Sequence, residues 1–213
     1  RNNIFVINAD GSNQTNLTPG TGNDHNPVWS PDGSKIVFES YRGGSLPQIY
    51  VMNSDGSNIK RLTNNTNSDY FPSWSPDGRK IIFSSNRIGS IGICVMNADG
   101  SNQTMLTNGP GVSMMPAWSP DGTKIAYVGD QSGPFQSGYF EVYVMNSDGS
   151  GVARLTFNSG DEYFPRWSPD GLNLVCASWR DGNSEIYAMD SNGSTQVNLT
   201  NNPANDFGPA WQP

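Results

Sequence analysis

The sequence predicts an all-β fold of repeated sheets, because three short phrases recur along it. The first contains a tryptophan before a Pro-Asp-Gly turn, and its tryptophans are 45, 44, 49 and 44 residues apart: Trp29, Trp74, Trp118, Trp167 and Trp211. The second reads like Ile-Tyr-Val-Met-Asn and begins at Ile4, Ile49, Ile93, Val142 and Ile186. The third is a Leu-Thr pair after each of these. A period of 20 to 50 residues is typical of repeat architectures.

Each repeat is predicted to form four short strands in a fixed order. The first carries Pro-x-Trp-Ser and ends at Pro-Asp-Gly, and the second reads Lys-Ile-x-Phe, as in Lys80–Phe83. The third is the Ile-Tyr-Val-Met-Asn phrase, and the fourth follows a Ser-Asp-Gly-Ser turn and ends on Leu-Thr. Asp-Gly between apolar runs predicts a hairpin, because Gly adopts positive φ and Asp bonds its own backbone. No stretch has helical periodicity over ten or more residues.

The second and third strands are apolar at nearly every position, as in Ile81-Ile82-Phe83 and Tyr50-Val51-Met52. Such strands need cover on both faces. Four-stranded sheets packed around an axis give that cover, so we predict a β-propeller of about five four-stranded blades. Its tryptophans would pack between the blades. A parallel β-helix is the alternative, but its coils are shorter and lack paired Asp-Gly hairpins.

We predict a single domain over 1–213. Its last blade would be completed by 207–213 together with 1–18, and would lack its second strand. The repeats lie near 1–28, 29–73, 74–117, 118–166 and 167–210.

These phrases resemble the repeat of TolB-type, WD-repeat-like propellers, and the resemblance covers essentially the whole chain. It implies the propeller fold. It implies a function only coarsely, since propellers carry unrelated activities. Some related propellers stand beside peptidase domains and others are lyases. This chain has a single histidine, His25, and no Gly-x-Ser-x-Gly stretch, so we expect no enzyme activity.

The charge and composition exclude several partners. The net charge of −7 and the absence of a Lys/Arg stripe argue against nucleic acid. No apolar run approaches the roughly 20 residues of a membrane-spanning helix, so we expect no membrane insertion. Cys94 and Cys176 lie in apolar strands of different repeats, which predicts two buried free thiols. The Asn, Ser and Gly content, the low Lys content and the family resemblance favour a periplasmic or secreted protein.

A ring of acidic residues is predicted at one mouth of the channel. Each stands five residues before a repeated tryptophan, where the loops from one blade to the next converge. Carboxylates around one axis repel each other unless a cation, a donor or protonation compensates them. The ring therefore predicts a Ca²⁺ site, with structural turn capping as the alternative. Its members are Asp24, Asp69, Ser113, Glu162 and Asp206.

The loop face around this mouth is the predicted ligand-binding surface. Three arginines follow the second strand, where they would either tie loops through salt bridges or recognise an acidic group. They are Arg42, Arg87 and Arg180. Five aromatic residues would form a rim for a peptide or a sugar, two of them in an insertion at 129–141. They are Tyr70, Tyr163, Trp179, Phe135 and Tyr139.

The resulting interpretation is a non-enzymatic, exported binding or scaffold propeller with a protein or peptide partner on its loop face. One alternative is a structural subunit that forms a homo-oligomer, or a larger assembly, through its incomplete blade. Another is an enzyme that acts on a polysaccharide or peptide at the acidic ring. The missing histidine cluster and nucleophile weigh against that alternative.

Overall fold

A computed structural model describes residues 2–20, 22–130 and 138–211 of the chain. Within these ranges the protein is all-β, and no segment is helical. In particular, the described ranges contain no helix long and apolar enough to cross a membrane. The strands form five antiparallel sheets, of which four have four strands and one has two. This confirms the predicted β-propeller class.

The strands of each four-stranded sheet follow the predicted order. The inner strands are β3 (Asp24–Trp29), β7 (Asp69–Trp74), β11 (Val112–Trp118) and β15 (Glu162–Trp167). The second strands are β4 (Lys35–Ser40), β8 (Lys80–Ser85), β12 (Lys124–Asp130) and β16 (Asn173–Ser178). The third strands are β5 (Gln48–Asn53), β9 (Gly92–Asn97), β13 (Glu141–Asn146) and β17 (Glu185–Asp190). The outer strands are β6 (Lys60–Arg61), β10 (Thr104–Met105), β14 (Ala153–Arg154) and β18 (Val197–Asn198). We call these sheets blades one to four.

The fifth sheet pairs β1 (Phe5–Val6) with β2 (Thr15–Asn16), which correspond to the third and outer strands of a blade. Phe5 is 51% exposed, whereas its counterpart Tyr50 in β5 is 5% exposed. The two strands differ in their neighbours: β4 pairs with β5 on its inner side, whereas no described strand pairs with β1 on that side. Residues 206–211 form no strand, so the predicted completion of this blade by the C-terminal segment stays a prediction.

The Ser-Pro-Asp-Gly turns set the first hairpin of each blade. In blade one Asp32 accepts bonds from the hydroxyl of Ser30 at 2.6 Å and the backbone N–H of Ser34 at 3.0 Å. The same bonds form around Asp77, Asp121 and Asp170. These hydrogen bonds, led by that of Ser30, lower the pKa of Asp32 to about 2. The aspartates are therefore turn residues.

The threonine of the Leu-Thr pair links the end of the outer strand to the start of the neighbouring third strand. The hydroxyl of Thr63 accepts the backbone N–H of Ile49 at 3.0 Å, which satisfies a buried donor at the start of the third strand. All five repeats form this bond, including Thr18 with Ile4 in the two-stranded sheet. The repeated threonine is thus a backbone cap.

Two of the five tryptophans hydrogen-bond to the preceding inner strand, whereas Nε1 of Trp118 and of Trp167 is buried without a partner among the described residues. The Nε1–H of Trp74 donates to the carbonyl of Val28 in the preceding inner strand at 3.2 Å, and Trp211 donates equivalently to Arg166 at 3.1 Å. Trp74 is 7% exposed, whereas Trp29 is 47% exposed. The expectation that all five tryptophans are core residues was therefore wrong for Trp29 and for Trp211, which is 36% exposed. Trp29 has no complete blade before it among the described residues. Both cysteines are buried free thiols, as predicted.

A matched pair of substitutions tests this difference. Trp74→Ala should lower the free energy of unfolding by about 3–5 kcal/mol, because it opens a cavity between two blades. Trp29→Ala should cost about 1 kcal/mol, because nearly half of that side chain is already in water. Urea denaturation followed by tyrosine fluorescence and circular dichroism measures both. Equal losses would contradict the blade-packing interpretation.

Candidate functional site

Each inner strand contains a β-bulge that turns one residue out of the sheet. That residue precedes the repeated proline and has a left-handed backbone, with φ between 49° and 56° in blades one to four: Asn26, Phe71, Met115 and Phe164. A bulge re-aims the side chain of its extra residue. All four side chains line a central cavity of about 440 Å³ between the inner strands.

Side chains from the preceding blade bond to two of these strained residues. The N–H of Phe71 donates to the Glu39 carboxylate at 2.9 Å, and that of Met115 donates to the Ser84 hydroxyl at 3.1 Å. A left-handed residue other than glycine costs roughly 1–3 kcal/mol. These bonds give a partner to two backbone amides that the bulges displace from the strand pairing. They also join neighbouring blades beside the central cavity.

A row of five aromatic rings crosses the loop-face end of this cavity. Phe71 and Phe164 meet edge-on across the axis, with ring centroids 6.4 Å apart. Tyr70 continues the row beyond Phe71 at 6.2 Å. Beyond Phe164 come Tyr163 at 6.3 Å and then Phe140 at 6.0 Å. All five side chains are partly exposed. The rings therefore form one surface that reaches from blade two to blade four.

Two tyrosine hydroxyl groups in and beside this aromatic row have raised pKa values. Burial, with help from the Asp161 carboxylate, raises the pKa of Tyr163 to about 12, and its hydroxyl lies 3.2 Å from that carboxylate. Burial and nearby Glu39 also raise the pKa of Tyr41. The ring of His25 packs edge-on against Tyr41, with centroids 6.2 Å apart. The border thus offers hydroxyl groups that stay protonated at neutral pH.

Only two residues of the predicted aromatic rim belong to this row of rings. Tyr70 and Tyr163 belong to the row. Trp179 instead contacts Phe207 at 6.1 Å, and Tyr139 is 50% exposed and belongs to no ring pair in the described part of the chain. Phe135 lies outside the described residues. Sequence reasoning missed Phe71, Phe164 and Phe140, although phenylalanine before the repeated proline in two copies was a usable signal.

Three members of the predicted acidic ring each form an ion pair with an arginine of their own blade. Asp24 lies 2.8 Å from Arg42, Asp69 lies 3.1 Å from Arg87, and Glu162 lies 2.9 Å from Arg180. The three carboxylate side chains are completely buried. Each arginine also lies over an aromatic ring of its blade, at 4.0 Å from the Tyr187 centroid for Arg180. These arginines therefore fix the loop after the second strand.

An asparagine four residues before the acid completes these clusters where it is present. Asn65 donates to Asp69, and Asn158 donates to Glu162, each at 2.7 Å. Asn202 makes the same bond to Asp206 at 2.7 Å. Blade three has Ser113 in place of the acid, and residue Gly109 in place of the asparagine. The copy that lacks the acid thus also lacks the asparagine, while blade one keeps the acid with Gly20 at the asparagine position.

A Ca²⁺ site needs several free oxygen ligands around one point. Here the carboxylates of blades one, two and four already accept bonds from arginine, and the described residues include no group of three or more His, Cys, Asp or Glu placed to hold a metal ion. These residues do not fit a preformed calcium site. Calcium binding stays a prediction, as does ligand binding by Arg42, Arg87 and Arg180.

Among the residues that the structure describes, no serine or cysteine nucleophile is bonded to the single histidine. His25 Nδ1 lies 3.2 Å from the side-chain nitrogen of Asn2, which is its one side-chain hydrogen bond within the described ranges. Cys176, the buried thiol nearest to a carboxylate, donates to Glu162 at 3.1 Å, and burial raises its pKa well above the usual value. A thiol held protonated in this way is a poor nucleophile.

Known proteins share this architecture. A family model described as TolB beta propeller domain matches residues 1–91, 66–164 and 93–213. Dipeptidyl-peptidase 5 of Porphyromonas gingivalis is 40% identical over 43 residues, which are 20% of this chain and 6% of that enzyme.

Two solved structures are similar over most of the chain. A putative TolB from Agrobacterium tumefaciens has a TM-score of 0.82 and 24% identity, over 91% of this chain and 72% of its own. TolB from Acinetobacter baumannii has a TM-score of 0.81 and 26% identity, over 95% of this chain and 49% of its own. The chain thus spans about half the length of the second protein.

Removing one arginine tests the buried pairs. Arg180→Met should lower the free energy of unfolding by about 3–5 kcal/mol at pH 8, because Glu162 keeps a buried charge without its partner. Burial already raises the pKa of Glu162 in the folded protein. A raised folded pKa means that stability is lost as pH rises through it, so the deficit of the variant should shrink at pH 5.

Urea denaturation at both pH values measures the deficit relative to the unsubstituted protein. Arg79→Met is the control, because it removes the same charge from an exposed position. It should change the free energy of unfolding little at either pH. An Arg180→Met deficit that is equal at pH 5 and pH 8 would show that packing, and not charge, carries the effect.

Proposed function

The chain belongs to the TolB beta propeller domain family, and from that premise we propose that its loop face binds an extended segment of a partner protein. The observation that carries the proposal is the aromatic row over the channel. The protein would act as a non-enzymatic binding propeller, with the five rings as the contact surface.

The spacing of the rings suits an extended peptide. Neighbouring centroids in the row are 6.0–6.4 Å apart. An extended chain rises about 3.3 Å per residue, so its alternate side chains are roughly 7 Å apart on one side. Successive apolar side chains of such a peptide could therefore contact successive rings. Aromatic residues also carry much of the binding energy in protein interfaces.

The orientation of the rings favours a peptide over a sugar. The planes in the row are inclined by 37° to 77° to their neighbours, so they form clefts between edges and faces. A sugar ring stacks best on a broad exposed aromatic face, whereas side chains enter clefts. The border adds Glu39 and Asp161, and the chain has a net charge of −7, so a segment with apolar side chains and basic flanks fits best.

A non-enzymatic role and export both belong to this proposal. The similarity to dipeptidyl-peptidase 5 covers 43 residues, about the length of one repeat, and 6% of that enzyme. His25 is bonded to Asn2, and the buried thiols are held protonated. Export to a periplasm or beyond the cell rests on composition and family membership.

Selection from a random peptide library tests the loop-face proposal. Peptides enriched on the unsubstituted protein should carry aromatic or aliphatic residues at alternate positions. Their affinity should fall at least about tenfold in Phe71→Asn and in Phe164→Asn, because each removes a ring from the middle of the row. Asparagine suits the left-handed backbone, since Asn26 occupies the same position in blade one with φ of 50°.

Leu172→Ser is the matched control. It removes a 65% exposed apolar side chain from the hairpin face, so the selected peptides should bind it unchanged. Fluorescence anisotropy with a labelled selected peptide gives the affinities. Equal binding to the asparagine variants and to the unsubstituted protein would overturn the loop-face proposal, and so would failure of the library to yield any binder.

Assembly through the two-stranded sheet is a second candidate function. Phe5 and Ile7 are 51% and 52% exposed beside the uncovered edge of β1, and such edges attract further strands. Light scattering after size exclusion should then show an oligomer that Phe5→Lys and Ile7→Lys convert to monomer. A monomer of unsubstituted protein at 100 μM, about a hundred times a moderate 1 μM dissociation constant, would remove this candidate.

A further inference from the structure

The central cavity lies below the aromatic row, and we call it the channel compartment here. Phe71 and Phe164 form its end toward the loop face, and its lining reaches Trp118 and Trp167, the last residues of β11 and β15. Its volume of about 440 Å³ lies within the range of small-molecule sites. Since the inner strands end at the Pro-Asp-Gly turns, this compartment faces the hairpin side of the propeller.

One charged side chain lines this wall, whose other side chains are apolar except for Asn26 and Ser73. The position two residues after the left-handed residue holds Val28, Ser73 and Ala117 in blades one to three, and Arg166 in blade four. Because three copies fold with uncharged residues there, the blade itself does not require an arginine. The presence of Arg166 therefore calls for an explanation outside the construction of the sheet.

Arg166 lacks an anionic partner among the described residues. The four ion pairs found there involve other arginines, and the one hydrogen bond of the Arg166 side chain is from Nη1 to the Pro165 carbonyl at 3.0 Å. Burial lowers its pKa. A guanidinium has five N–H donors in a rigid fork, so several remain for a ligand. Arg166 is partly buried, and the part of such a cation that is shielded from water costs free energy unless an anion joins it.

We propose that this compartment binds a carboxylate carried on a small apolar group, with the carboxylate paired to Arg166. The guanidinium fork matches the two oxygens of a carboxylate. A single carboxylate also balances the single positive charge, whereas a phosphate dianion would leave an excess negative charge between proline, methionine and aromatic side chains. The remaining lining suits an aliphatic or aromatic body.

The carboxylate could belong to a free small acid or to a partner protein, as an acidic side chain or a chain terminus. Titration with phenylacetate at constant ionic strength tests the first source. Titration with two short peptides, Ala-Ala-Phe as the free acid and as the C-terminal amide, tests a terminus. Acetyl-Glu-Phe-amide and acetyl-Gln-Phe-amide test a side chain. Calorimetry and thermal melting serve as readouts for the unsubstituted protein and its variants.

At least one acid should bind and raise the melting temperature in a concentration-dependent way. Its neutral counterpart, phenylacetamide or the matching amide or glutamine peptide, should not. Arg166→Gln should weaken binding of the acid at least about tenfold, since it removes a charge-assisted pair. Arg166→Lys should restore it in part. Arg79→Gln, an exposed change of the same charge on the hairpin side, should bind like the unsubstituted protein.

Three results would overturn the proposal: no acid binds, a neutral counterpart binds equally well, or Arg166→Gln binds the acid unchanged. The fold of Arg166→Gln is expected to survive, because the other blades have uncharged residues at this position. The Arg166→Gln arm separates this proposal from the loop-face proposal, because Arg166 is not part of the aromatic row and its substitution should leave peptide binding there unchanged.

Discussion

In every complete blade the inner strand turns one residue out of its sheet, at the left-handed position before the repeated proline. The proline cannot donate to the ladder, and the bulge before it breaks the pairing register with the second strand. The displaced side chain then points to the axis instead of to a blade face. The cavity, the phenylalanine contact across it and the aromatic row all depend on that one backbone constraint. Gly208, with φ of 63°, continues it into the C-terminal segment.

The repeats also allow one blade to be compared with another inside the same chain. Blades two and four combine a buried acid, an arginine after the second strand and an asparagine before the acid. Blade three has Ser113 and none of these partners, and blade one keeps Asp24 and Arg42 but has no asparagine. In blade one an oxygen of Asp24 is buried without a partner among the described residues. The cluster thus behaves as one structural unit whose parts satisfy each other's hydrogen bonds.

Local chemistry made much of the fold predictable. The Asp-Gly turns, the continuous apolar strands and the Leu-Thr caps each act within one blade, so their signals lie close together in the sequence. The acids were harder to interpret, because repeat symmetry places them around one axis but does not show which way each side chain turns. Asp69 turns to Arg87 of its own blade, 18 residues away in sequence. The exposure of Trp29 and the row through Phe71 and Phe164 depend on neighbouring blades and on a positive φ before proline, which sequence patterns disfavour.

The phenylalanine pair divides the channel into two environments with different chemistry. On the loop side, the surface is aromatic and bordered by neutral phenols and carboxylates, which suits apolar side chains with basic neighbours. On the hairpin side, the wall is mostly apolar and carries one cation, which suits a single negative charge.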